Sequence, residues 1–187
     1  MIRSARPADL PRLREVEVAA GALFRTVGMD RIADDDPPSL QELAAFQERG
    51  RAWVVTGEAG GGVPVGYLLL DLVDGAAHVE QVSVDPACAR RRLGASLLET
   101  AAGWAAARGL PALTLTTFAD VPWNAPHYAR LGFAVLPADR LGPGLRGVVE
   151  RERAHGLHAW PRVVMRRDLG PAGADPASAR PADRPAG

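Results

Sequence analysis

Apolar residues recur along the chain with two periods, about 3.6 and 2, and the switches between them lay out the expected elements. Residues 2–5 read as a short strand. Asp9 stands at the N-cap position of a helix that carries Leu10, Leu13 and Val16 on one face. Ser39-Leu40-Gln41-Glu42 has the S-x-x-E spacing of a capping box and opens a second helix towards Gly50. Strands are predicted over 52–56, 65–72 and 78–84, with turn residues at 60–62 and 74–75 marking two hairpins. A long helix is predicted over 92–108, with Leu93, Leu97, Ala101 and Trp104 at helical spacing and Gly109 and Pro111 to stop it. A strand over 112–118 follows, then a short helix over 125–131 ended by Gly132, a strand from Phe133, an extra helix over 141–155 and a last strand over 163–167.

Composition adds limits to this outline. A chain of 187 residues, 47% apolar, holds enough material for one domain with one sizeable core. From Gly170 onward only Pro, Ala, Gly, Asp, Arg and Ser occur, too little apolar surface to offset ordering entropy. A folded domain is therefore expected over 1–169 and a disordered tail over 170–187. No apolar run approaches the roughly 18 residues of a membrane span, and Met1-Ile2-Arg3-Ser4 lacks the apolar stretch of a signal peptide. A cytoplasmic location without a membrane partner is expected. Lysine is absent, and 22 arginines balance 22 acidic residues, so no global field attracts nucleic acid. Cys88, the one cysteine, cannot form an internal disulfide. No metal is expected.

One stretch is more than generic. In VEQVSVDPACARRRLGASLLETAAGW, 79–104, a β-like run ends at Asp85-Pro86, and Arg90, Arg91 and Arg92 fall where the next helix begins. That end of a helix already favours negative charge. A strand-turn-helix unit aims unpaired backbone N–H groups at its turn, and arginines there add bidentate cationic partners. Three cations at a helix start become sensible once a polyphosphate sits between them. A solvated basic turn is the other reading of the same residues.

The segment VSVDPACARRRLGASLLE resembles the acetyl-CoA-binding segment of the GNAT superfamily of N-acyltransferases. There a strand ending in Val-x-Pro leads through Gln/Arg-x-x-Gly-x-Gly/Ala into a helix. WNAPHYARLGF, 123–133, resembles the same family's second signature: an Asn, a Tyr four residues later, and Leu-Gly-Phe after a short helix. The resemblance spans about 1–169. It departs from the pattern where Ala89 stands in place of the usual Gln or Arg and Arg92 in place of Gly; Gly94 fits.

The resemblance implies an α/β fold of the GNAT type: a mixed, mostly antiparallel twisted sheet of six or seven strands, splayed at the acetyl-CoA site and flanked by four or five helices. It implies direct transfer from acetyl-CoA, the co-substrate, to a primary amine in a ternary complex. The pantetheine arm would pair with the backbone of Val82, Ser83 and Val84. The pyrophosphate would lie on Ala89, Arg90, Arg91, Arg92, Leu93, Gly94 and Ala95. Asn124 would bond the pantetheine amides, and could also cap the short helix. Tyr128 would hold the proton for the departing thiolate, a role that suits a phenol of reference pKa about 10 against a thiol of about 8.5.

For the base, period-two geometry directs His78 and Glu80 to one face of their strand, and the resemblance implies that this is the position from which several GNAT subfamilies reach the acceptor amine, with either Glu or His. Glu80, nearer the centre of the splay, is the preferred of the two. The acceptor is expected to be a small-molecule amine, and a homodimer is left open. Asp34, Asp35 and Asp36 border the acceptor channel in such a fold; they either attract a cationic amine or form a solvated loop. The 141–155 helix either closes over that channel or covers a sheet edge. Trp123 and Trp160 either line the pocket or belong to the core. Two other functions fit the same resemblance: a non-catalytic acyl-CoA sensor, and an acetyltransferase of protein N-termini or side chains.

Overall fold

A computed structural model describes residues 1–57, 62–89 and 91–170. It contains one open seven-stranded sheet in the order β1-β2-β3-β4-β5-β7-β6. The strands are β1 (Ile2–Ser4), β2 (Ala52–Thr56), β3 (Pro64–Val73), β4 (Ala76–Val84), β5 (Ala112–Phe118), β6 (Ala134–Val135) and β7 (Arg162–Asp168). All neighbours pair antiparallel except β4 and β5. The described helices are α1 (Leu10–Gly21), α2 (Asp30–Ala33), α3 (Leu40–Glu48), α4 (Leu93–Ala106), α5 (Ala125–Arg130) and α6 (Pro143–Ala154).

The local signals behave as their chemistry requires. Ser39 Oγ accepts from Glu42 N at 3.2 Å while the Glu42 carboxylate accepts from Ser39 N at 2.8 Å, so the reciprocal cap of α3 forms. Asp9 occupies the N-cap of α1 without capping it; its carboxylate instead accepts from Arg6 N at 2.7 Å and from Arg3. Asp74 and Gly75 both have positive φ, 50° and 74°, as a tight hairpin turn between β3 and β4 demands. The single turn α2 carries no periodic signal. The strand expected from Phe133 is reduced to the two residues of β6.

Alternation along the strands divides the core into two layers. Trp53 and Val55 of β2, with Leu68 and Leu70 of β3, pack with Leu97, Leu98, Ala101 and Ala105 of α4. Ala52 and Val54, with Tyr67 and Leu69, pack with Leu10, Leu13 and Val16 of α1 and Leu43 of α3. Helix α6 lies on this second face, where Leu145 packs with Val164, and it is tied down at both ends. Asp74 accepts from the N–H groups of Gly144 and Leu145 at 2.8 and 2.9 Å, and Arg31 of α2 donates to His155 O at 3.1 Å. Among the described residues no helix is long and apolar enough to cross a membrane.

Candidate active site

The sheet comes apart at its one parallel pairing. Strands β4 and β5 pair only at Ala77↔Leu113 and His78↔Thr114, and beyond that rung both continue unpaired to each other, to Val84 and Phe118. A gap in the middle of a sheet leaves main-chain donors and acceptors without strand partners, which is tolerable only where solvent or a ligand reaches them. A cavity of about 560 Å³ occupies this gap. Its walls come from both faces of the sheet: Leu98 and Leu115 from the α4 layer, Glu17 and Glu152 from the α1 and α6 layer.

Strand β4 is also bulged. Opposite β3, Leu70 pairs with Val79 but Leu69 pairs with Gln81, so Glu80 is the extra residue. The alternation shifts there: Ala77 and Val79 face the α4 core, and so does Val82. Glu80 thus stands two residues past the last β4–β5 rung, inside the splay, and lines the cavity. Its carboxyl is solvent-accessible yet surrounded by protein in a concave space. Desolvation raises its pKa above the usual carboxylate range; nearby Asp71 and Glu152 push the same way and Arg151 opposes.

His78 is placed differently. It lies on the last rung of the ladder, 1% exposed, with Nδ1 at 2.9 Å from Thr114 Oγ1, and it is absent from the cavity wall. Burial lowers its pKa to about 4, the carboxylates of Glu152 and Asp71 opposing that and Arg151 adding to it, so the ring is neutral at pH 7. Period-two reasoning groups His78 with Glu80 by direction alone; depth is set by where β5 leaves.

Of the other predicted site residues, Val82, Ser83, Val84, Gly94, Asn124 and Tyr128 line the cavity together. Ala89, Arg91, Arg92, Leu93 and Ala95 lie outside its wall, and Arg90 lies outside the described residues. Helix α4 begins one residue later than the pattern predicts, at Leu93, with Arg92 as its N-cap. Its first intrahelical bond runs from Ser96 N to Arg92 O at 3.0 Å, which leaves the N–H groups of Leu93, Gly94 and Ala95 without an intrahelical acceptor. Arg92 has φ 56° and ψ 21°, left-handed backbone that favours glycine. The sequence thus keeps at Arg92 the conformation for which glycine is the usual choice.

Asn124 holds the N-cap position of α5, but its side chain makes no capping bond and faces the cavity wall; its carbonyl accepts from His127 N and Tyr128 N at 2.8 and 3.0 Å. Tyr128 stands four residues on, packed edge-to-face on Phe133 at 5.9 Å between centroids. Its hydroxyl makes no hydrogen bond among the described residues and is not sealed from the cavity. Desolvation pushes its pKa up to about 12, so the phenol keeps its proton throughout the neutral range.

Several wall residues gave no sequence signal. Glu17 of α1 accepts from Tyr67 Oη and Ser83 Oγ, both at 2.6 Å, and from Gln81 Nε2 at 2.9 Å, clamping α1 to the part of β4 that β5 has left. Arg162 of β7 donates through Nε and Nη2 to the two Glu152 oxygens at 3.0 and 2.8 Å, and Thr116 Oγ1 also bonds Glu152. These contacts join residues 36 to 66 positions apart, or pair a helix with a strand across a loop, so no local spacing announces them. Asp35 and Asp36 line the cavity, while Asp34 pairs with Arg25. Trp123 lines it too, and Trp160 packs behind with Phe118. Among the described residues no cluster of three or more His, Cys, Asp or Glu could hold a metal ion.

The model of the acetyltransferase (GNAT) family matches residues 21–133, more than half of the chain, and the protein belongs to that family and is an acetyltransferase. Solved structures agree in fold. The ribosomal-protein-S18-alanine N-acetyltransferase of Escherichia coli is 21% identical with a TM-score of 0.61, over 94% of this chain and 97% of that one. The PaiA N-acetyltransferase of Thermoplasma acidophilum, in complex with coenzyme A, is 15% identical with a TM-score of 0.64, over 90% and 98%. A GNAT acetyltransferase of Staphylococcus aureus is 14% identical with a TM-score of 0.67, over 90% and 98%.

Proposed function

We propose that the enzyme transfers an acetyl group from acetyl-CoA directly to a primary amine of a small molecule. The observation that carries this reading is the end of the β4–β5 ladder at His78↔Thr114: the cavity it opens gathers an unpaired strand edge, a carboxylate with raised pKa and a phenol. The residues present fit the donor. The edge of Val82 to Val84 can take an extended amide-bearing arm as an added strand. Asn124 offers amide donor and acceptor atoms beside it. The N–H groups of Leu93, Gly94 and Ala95, with Arg91 and Arg92 at the same turn, suit a pyrophosphate. Bound there, acetyl-CoA supplies an activated acyl group: a C–N bond to the amine forms, the C–S bond breaks, and coenzyme A leaves as the thiol.

The chain's own residues manage the protons. Glu80 takes one proton from the acceptor ammonium, directly or through a water, and its raised pKa makes it a better base than an ordinary carboxylate. Tyr128 supplies the proton to sulfur and recovers one as the amide nitrogen sheds its excess. His78, buried against Thr114, supports the rung where the splay starts. The same fold is found in the ribosomal-protein-S18-alanine N-acetyltransferase of Escherichia coli, named for a protein substrate. A concave wall of this size favours a small acceptor here. The test is thiol release on mixing the purified chain, acetyl-CoA and a panel of small amines, with calorimetry for coenzyme A alone. Turnover with heat of binding is expected. Absence of coenzyme A binding would overturn the assignment.

A further inference from the structure

The charge on the cavity wall departs from that of the whole chain. The chain balances 22 basic against 22 acidic residues, whereas the wall sets Glu17, Asp35, Asp36, Glu80 and Glu152 against Arg162. That guanidinium is bonded bidentately to Glu152, so the pair is internally neutral. Glu17 is held by three uncharged donors. Among the described residues no salt bridge reaches Glu17, Asp35, Asp36 or Glu80. These carboxylates come from α1, the loop after α2 and the bulge of β4, three segments that the fold turns towards one space. Negative groups around a low-dielectric concavity focus a field that concentrates cations and repels carboxylates.

Apart from that charge, the wall is largely apolar, and part of it is aromatic. Phe24, Phe118 and Trp123 line it, with Phe24 edge-to-face on Phe118 at 5.5 Å and on Trp123 at 5.8 Å. Such surfaces cover methylene groups, and their ring faces attract ammonium ions. Resting on the acetyl-transfer reading above, we infer that the acceptor is a linear alkylamine with a second positive charge, of the diamine or polyamine class. Its reacting nitrogen loses a proton to Glu80, its methylenes lie on the aromatic wall, and its distal ammonium stays charged near Asp35 and Asp36.

The test compares 1,4-diaminobutane and spermidine with n-butylamine, glutamate and a short peptide of free N-terminus, by thiol release at low salt and at 0.5 M NaCl. Expected is a kcat/KM for the diamine at least about tenfold above n-butylamine, shrinking towards equality at high salt. The double variant Asp35→Asn, Asp36→Asn should bring the ratio down through KM of the diamine. Equal or better use of n-butylamine, glutamate or the peptide overturns the inference, as does a ratio unmoved by salt and by the variant. Coenzyme A binding without turnover of any of the cationic amines also overturns it while leaving donor binding intact. Absence of coenzyme A binding removes the underlying reading instead.

Discussion

The two sides of the splay are built by different means. The side assigned to the donor is mostly backbone: the free edge of β4 from Val82 to Val84 and the first turn of α4. The side assigned to the acceptor is all side chain: Glu17, Asp35, Glu152, Arg162 and Phe24, brought from five separate stretches. Backbone recognition needs only a local strand-turn-helix unit, so it tolerates Arg92 where glycine is usual, since every residue except proline supplies an N–H. Side-chain recognition depends on packing between distant segments. Residues such as Asp35 and Phe24 can be altered there without touching the donor strand, whereas Glu17, bonded to Ser83, ties the two sides together.

The sharpest way to break this division is at the residues between the two sides. Tyr128→Phe is expected to lower kcat by about 10³-fold with little change in coenzyme A affinity, read by steady-state thiol release and calorimetry. With its pKa near 12, Tyr128 itself should impose no loss of activity below about pH 11. Glu80→Gln comes next, with a loss of about 10²-fold at neutral pH. Because the Glu80 pKa is raised, the wild-type rate should fall on acidification at a pH above the ordinary carboxylate range, and the variant should lose that limb and speed up as the free amine accumulates.

His78 separates the scaffold from the chemistry. Its folded pKa of about 4 lies below the unfolded value of about 6.5, so the unfolded chain binds more protons between them. The stability it contributes is fully present above pH 6.5 and declines as pH falls towards 4, by on the order of 3 kcal/mol. Urea denaturation of wild type and His78→Gln across that range should show the slope in the first and a flatter profile in the second. The smallest effect lies on the donor side. Arg92→Val, a β-branched residue in left-handed backbone, should cost about 1–2 kcal/mol in the same denaturation assay, while Arg92→Gly should cost less.

Legibility in the sequence follows the same division. Strands 52–56 and 112–118 match β2 and β5 residue for residue, because alternation and flanking turns fix them locally. The 141–155 helix forms as α6, over Pro143–Ala154, and the second face it covers is where Glu152 meets Arg162. The bulge at Glu80 was invisible: nothing in HVEQV marks an extra residue, since it arises from the register of β3 against β4. From the sequence Asp35 and Asp36 read first as solvated loop, and only their place on the cavity wall separates them from Asp34, which pairs with Arg25.

By itself the sequence determined the element order apart from the single turn α2, the hairpin turn at Asp74-Gly75, the cap of α3 and the two motifs that resemble the family's, all of which rest on contacts within a few residues. Only the tertiary structure decided where β5 leaves β4, and therefore that His78 is sealed while Glu80 faces the cavity. It also decided which charges meet there. Periodicity fixes the direction of a side chain, but its depth and its partners are set by strands and helices arriving from far along the chain.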